Sequence, residues 1–285
     1  MEKEQADRDL RPKDPANQAT GRAEGRATRR AREFFPRGLI QPEGVRFSID
    51  ALLLSCFADF KNTKNVLDLG TGCGVVGLGL LLKNPNKNFR VTGMDVNPEM
   101  IASARENADL LGFKSRFEVV RGDVGKVRED KVFEPESFEL AVCNPPYRRQ
   151  GQGRRPTDTY RNAARFESRA KIHDFVSAAS FTLRNKGNFC LIYLPERLSA
   201  LFTAFAQSGL EPKRMRFIHS RGCESAKLTL IQARKNTRPG LIVEPPLILY
   251  QGQGPDTELT HQALKFCPFL ECNLKRQDPG PGGGP

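Results

Sequence analysis

The chain of 285 residues has no tryptophan, only three histidines and four tyrosines, and its seven cysteines stand singly with no CxxC pair. So few histidines and unpaired cysteines argue against the usual metal centres and a disulfide framework. Cys56, Cys73, Cys143, Cys190, Cys223, Cys267 and Cys272 are expected as small, mostly buried hydrophobes of a reducing compartment. Long apolar runs are missing as well. The stretch ALLLSCFA (51–58) and the run at 77–82 fall short of the roughly 20 residues that span a bilayer, and no secretory leader pattern is visible. The expectation is a cytoplasmic protein with no metal and no membrane association, whose 38% hydrophobic content suffices for a sizeable core.

What is present in excess is positive charge, +12 in all, and it is unevenly placed. Residues 1–33 carry nine Lys/Arg against seven Asp/Glu, whereas residues 148–171 carry eight against two, a net of +6 and half of the formal excess. Such clustering suits a polyanionic partner, nucleic acid first; the plainer alternative is a solvated loop. Residues 1–33 have almost no large apolar side chains to offset ordering entropy and are expected to be a disordered tail. Residues 275–285, closing in DPGPGGGP, are expected to be a second one, leaving a single domain at 34–274.

Within that domain the periodicity alternates. Strands are predicted at 65–70, 90–96, 116–123, 138–143 and 188–194, with helices at 75–83, 98–111, 166–183 and 196–208. Pro98 stands at a helix start, Gly112 and Gly209 just past helix ends, and Asn185 with Gly187 is read as the stop of the long helix. Regular alternation predicts an α/β fold, a doubly wound, mostly parallel sheet. Segments 213–219 and 226–234 are joined by only SRGCES, too short for a crossover helix, so they are predicted to form an antiparallel hairpin at the far edge of a seven-stranded sheet. A leading helix is predicted at 49–60 with Ser48 as its N-cap.

The string Asp68-Leu69-Gly70-Thr71-Gly72-Cys73-Gly74 falls where the first strand turns into the first crossover helix. Glycines there permit a tight turn and a close approach of backbone to a ligand. Gly72-x-Gly74-x-x-Gly77 followed by Asp95 also satisfies the dinucleotide fingerprint, which keeps NAD as a rival. A carboxylate at Asp68, upstream of the glycines, favours a cationic amino-acid moiety instead, as in S-adenosylmethionine. Asp95 would accept two ribose hydroxyls, and Asp123, in RGDV, the adenine amino group. The alternative for either aspartate is a helix cap or turn residue.

DLGTGCG, the acidic strand ends and NPPY (Asn144, Pro145, Pro146, Tyr147) in this order resemble a class I S-adenosylmethionine-dependent methyltransferase, with its Rossmann-like fold, over about 65–234. The resemblance implies that Asp68, Gly70, Thr71, Gly72, Gly74, Asp95, Asp123 and Asn144 hold the cofactor. The residues of NPPY suit one chemistry. An amino group conjugated to a ring or carbonyl has a delocalised lone pair, and acceptors for its N–H groups direct that pair toward the methyl donor. Asn144 offers a side-chain oxygen, Pro145 a carbonyl, and Tyr147 a face on which a planar substrate stacks. The prolines fix the backbone and need no donor partner themselves. A proline turn closing a strand is the structural alternative.

The motif alone is shared by enzymes acting on adenine N6, guanine N2 of ribosomal RNA and protein glutamine amides. The flanks QPEGVRFSIDALLLSCFA, NPPYRRQGQGR, ARFE and PPLILY resemble the bacterial valine-tRNA adenine-N6 methyltransferases, over about 34–274. That likeness implies a tRNA substrate. Arg148, Arg149, Arg154 and Arg155, with Pro146, are placed on the substrate side, the arginines gripping phosphates around a nucleotide swung out of its stack. Phe34, Phe35, Arg46, Phe47 and Asp50 match a segment that covers the cofactor pocket in such enzymes, the alternative being ordinary core and capping roles, and Val45 stands where an aromatic residue is expected.

Overall fold

The computed structural model describes residues 34–43, 46–58, 63–146 and 170–273. The predicted tails at 1–33 and 275–285 lie outside the described residues. Five parallel crossover strands, β1 (Asn65–Leu69), β2 (Arg90–Asp95), β3 (Phe117–Arg121), β4 (Phe138–Cys143) and β5 (Leu183–Tyr193), are followed by β6 (Leu210–His219) and β7 (Ala226–Lys235). Their order is β3-β2-β1-β4-β5-β7-β6, with β7 antiparallel to both neighbours. This is the predicted doubly wound sheet with its hairpin. The sheet, however, has nine strands rather than seven. Two-residue strands β8 (Ile242–Val243) and β9 (Leu247–Ile248) pair in parallel with β6, so the hairpin's outer edge is covered. A separate small hairpin joins β10 (Tyr250–Gln251) to β11 (Glu258–Leu259).

Strand residues alternate between two apolar layers, as period-2 geometry requires of a sheet covered on both faces. Val66, Leu140, Val142, Cys190, Ile192 and Leu230 face the helices α1 (Ile49–Phe57), α2 (Val75–Lys83) and α3 (Pro98–Leu110). Leu67, Leu69, Ala141, Cys143, Leu191 and Ile231 face α4 (Ile172–Thr182) and α5 (Leu198–Gln207). Helix α2 is buried from Val75 through Leu82, because it lies between α1 and the sheet. Its two glycines let it sit that close. A Cβ on Gly77 would stand 2.5 Å from the Phe117 ring, and one on Gly79 would stand 2.7 Å from Ser55 Oγ. A short helix α6 (His261–Phe266), capped by the Thr260 hydroxyl, and a 3-10 segment Pro268–Asn273 complete the α1–α3 layer.

Several predicted boundaries are corrected. Helix α1 ends at Phe57, and Ser48 at its N-cap position makes no side-chain capping bond. The third strand is shorter than 116–123 because Asp123 turns the chain into a 3-10 turn at Val124–Lys126. The long helix is described from Ile172 and stops at Thr182, whose hydroxyl bonds back to the Ala178 carbonyl at 2.8 Å. Asn185 to Gly187 do not stop it. They form a bulge within β5, with Lys186 at φ 63°, between the pairs Phe138↔Leu183 and Leu140↔Asn188.

Candidate active site

The carboxyl ends of β1, β2 and β4 adjoin in the sheet and bring the predicted aspartates and the asparagine to one edge. After Leu69 the chain turns through Gly70, Gly72 and Gly74 at φ 69°, 55° and 90°, a left-handed sequence that residues with a Cβ adopt at a cost. The Gly70 and Thr71 N–H groups both donate to the Met94 carbonyl at 2.9 Å, and Gly74 N–H to the Thr71 carbonyl at 2.9 Å. A Cβ on Gly72 would meet nothing within 4 Å, so the turn faces open space there.

Asp68 is buried under this turn. Its Oδ2 accepts from the Thr71 hydroxyl at 2.8 Å and the Gly77 N–H at 3.0 Å. Its Oδ1 is also buried and has no hydrogen-bond partner among the described residues. Burial raises the carboxyl to about 7, against the lowering effect of those two hydrogen bonds and with a further upward push from the Asp95 charge. A buried carboxyl with one orphaned oxygen is poorly satisfied by its own chain. Thr71 thus serves Asp68 directly.

Asp95 closes β2. Its Oδ2 accepts from the Gly72 N–H at 2.9 Å and its Oδ1 from the Asn97 N–H at 2.9 Å. Burial raises its pKa, opposed by these backbone donors. Each oxygen retains a further lone pair for a ligand hydroxyl. Asp123 takes the capping role: its Oδ1 accepts from Gly125 N–H at 2.9 Å. At the end of β4, Asn144 follows the register pair Leu69↔Cys143. Its Oδ1 is buried without a hydrogen-bond partner among the described residues. Pro145 is buried and Pro146 exposed. Tyr147, Arg148, Arg149, Arg154 and Arg155 lie outside the described residues.

Orphaned buried polar atoms are uncommon in folded proteins. Four are found among the described residues, and the two that are carboxylate or amide oxygens, Asp68 Oδ1 and Asn144 Oδ1, stand at this edge. Both are acceptors that a ligand's N–H groups could engage. Two contributors escaped the sequence. Phe175 of α4 comes within 3.3 Å of where a Gly70 Cβ would stand, and nothing in its apolar surroundings signals that. Asn107 of α3 is fully buried and donates to the Cys73 carbonyl at 3.0 Å. Its signal was legible: an amide on the apolar stripe of an amphipathic helix.

A doubly wound sheet with a left-handed glycine turn after β1 and carboxylates at the ends of its first two strands is an α/β arrangement of the kind that takes ligands at its strand ends. A family model described as Methyltransferase small domain matches residues 48–196, more than half of the chain, and the chain belongs to that family. Among curated proteins it is similar to a tRNA1(Val) (adenine(37)-N6)-methyltransferase of Actinobacillus pleuropneumoniae serotype 7, at 27% identity over 78% of this chain and 89% of the relative. A protein of the same description from a Flavobacteriaceae bacterium is 27% identical over 61% of this chain and 76% of its own. Among solved structures, one titled a predicted O-methyltransferase from Agrobacterium tumefaciens superposes with a TM-score of 0.60 and 25% identity, covering 77% of this chain and 96% of that one. The fold is the Rossmann-like class I methyltransferase fold.

Proposed function

We propose that the chain transfers a methyl group from S-adenosylmethionine to the exocyclic N6 amine of an adenine in structured RNA, a tRNA anticodon loop above all. The observation that carries this reading is Asn144, whose Oδ1 is a buried acceptor lacking a partner at the carboxyl end of β4. An acceptor held so is organised for an N–H that arrives with the substrate, and an amine brings two. Pro145, next in the chain, offers its carbonyl to the second. With both N–H groups engaged, the nitrogen lone pair is held out of conjugation with the ring and faces the cofactor side. The relatives named as tRNA adenine-N6 methyltransferases support adenine as the amine.

The residues at β1 and β2 fit the cofactor. The orphaned Asp68 Oδ1 suits the ammonium of its amino-acid part, and Asp95 its ribose hydroxyls. Asp123 is assigned the adenine amino group, beside its capping bond. What the bound cofactor supplies is a methyl on a positively charged sulfur. Tyr147 is assigned to stacking on the target base, and Arg148, Arg149, Arg154 and Arg155 to phosphates, so that Pro146 and the arginines flank the base.

The test is methyl transfer to unmodified tRNA followed by nucleoside mass spectrometry. N6-methyladenosine is the expected product. N2-methylguanosine, a ribose 2′-O-methyl nucleoside, or labelling of a release-factor glutamine in place of tRNA would each overturn the substrate assignment.

A further inference from the structure

Asn107 lies within the apolar stripe that Met100, Ile101, Ala104 and Ala108 of α3 turn toward the core. A fully buried amide is costly unless its polar atoms are paired. Here they are paired with backbone from two distant segments. Oδ1 accepts from the Ile40 N–H at 2.7 Å, Nδ2 donates to the Ile40 carbonyl at 2.9 Å, and Nδ2 also donates to the Cys73 carbonyl at 3.0 Å. One side chain therefore grips residue 40 by both its backbone groups and holds the carbonyl that sits between Gly72 and Gly74.

Ile40 belongs to the leading segment, residues 34–43. That segment is also fastened to the C-terminal 3-10 segment: Phe35 and Phe269 meet edge to face with centroids 4.9 Å apart, and the Arg37 guanidinium donates to the Cys272 carbonyl, from Nε at 2.7 Å. Neither end of this arrangement falls within the family match at 48–196. Through Asn107, chain from outside the family match is hydrogen-bonded to the turn that forms the cofactor site.

We infer that Asn107 is a positioning residue that couples the seating of the leading segment to the shape of the glycine turn. Cofactor binding then steadies residues 34–43, and loosening those residues weakens the cofactor to the same degree. The inference rests on the reading of the glycine turn as the S-adenosylmethionine site. Asn107 itself touches no reacting atom.

The experiment combines amide hydrogen exchange and calorimetry, with S-adenosylhomocysteine as the probe, on the full chain. In the wild type, the probe is expected to slow exchange of the Ile40 amide by about tenfold or more, as a coupled local opening requires. Asn107→Ala is expected to weaken the probe and raise the cofactor KM by about tenfold, with kcat at saturating cofactor changed less than about twofold. A lower melting temperature with cofactor KM unchanged would mark a purely structural amide and overturn the inference. Should Asn107→Ala fail to fold, the wild-type exchange decides alone. Binding of the probe with Ile40 exchange unaltered overturns the coupling while the cofactor reading stands. No binding of the probe to the wild type overturns the cofactor reading, and the inference falls with it.

Discussion

The ends of β1 and β4 are neighbours in the sheet and are built on opposite plans. At β1 the chain supplies most of its own partners: the Thr71 hydroxyl and Gly77 N–H serve Asp68, and the Gly72 N–H reaches across to Asp95. One oxygen is left over. At β4 the Asn144 Oδ1 has no partner among the described residues, and a proline follows it. A site that must hold a cofactor in one pose gains from a preformed cradle, whereas an acceptor for a reacting amine gains most from being vacant until the amine arrives. On the proposed reading this difference separates binding from turnover, and substitutions at the two ends are expected to separate them too.

The largest expected effect is at β4. On the proposed reading Asn144→Ala removes the acceptor assigned to the reacting nitrogen, and kcat should fall by about 10²–10³-fold, with cofactor affinity within about twofold of wild type. Single-turnover kinetics with calorimetry measure both quantities. A wild-type rate in this variant would erase the contrast between the strand ends and sink the role given to NPPY.

At β1 the effect is on binding and depends on pH. The folded Asp68 carboxyl sits near 7, above its ordinary value of 3.8, so the native state holds a proton that the unfolded state has lost between those values. Stability from this group therefore decreases as pH rises from about 4 to 7. A cationic ligand reverses the preference: it binds the ionised carboxylate, so cofactor affinity should rise as pH increases through about 7 and then level off. Asp68→Asn should lose about tenfold in affinity above that pH and flatten the profile. An unchanged slope would show that the carboxylate does not face the cation.

The placement of these residues at strand ends and turns is legible in the sequence. Asp68, the three glycines, Asp95 and Asn144 were all legible, because tight turns and strand ends demand particular residue types at particular spacings. So was the hairpin, since SRGCES leaves no room for a crossover. What escaped depends on tertiary partners. The pieces β8 and β9 are two residues long, too short to show a period, and exist only because β6 offers an open edge. The NKG tripeptide reads as a helix stop in isolation and becomes a bulge only because β4 sets the register of β5. Asn107 announced a buried amide but not its partners, which lie 67 and 34 positions away in the chain.

A third substitution tests whether the β1 cradle is held by packing. Gly77 donates to Asp68 Oδ2, and a methyl there would stand 2.5 Å from the Phe117 ring and 2.8 Å from Val91 Cγ1. Gly77→Ala is expected to shift α2 against the Phe117 and Val91 side chains, at about 1–3 kcal/mol of stability by denaturant titration. Because that shift moves a donor of Asp68, cofactor affinity should fall as well. The stability loss with affinity intact would mean that the cradle is held by the turn alone.

The smallest effects compare two helix starts. Asn97 caps α3 with a 2.9 Å bond from the Glu99 N–H, and its own N–H reaches Asp95, so the cap and the Asp95 carboxylate share a turn. Ser48 occupies the same position ahead of α1 without a side-chain capping bond. A cap that closes a hydrogen bond contributes about 1 kcal/mol, and one that closes none contributes little beyond its propensity. Asn97→Ala should therefore cost about 1 kcal/mol, against less than about 0.5 kcal/mol for Ser48→Ala. Both are read from thermal or urea unfolding. Equal costs would show that Ser48 caps α1 in solution and that the two helix starts are closed alike.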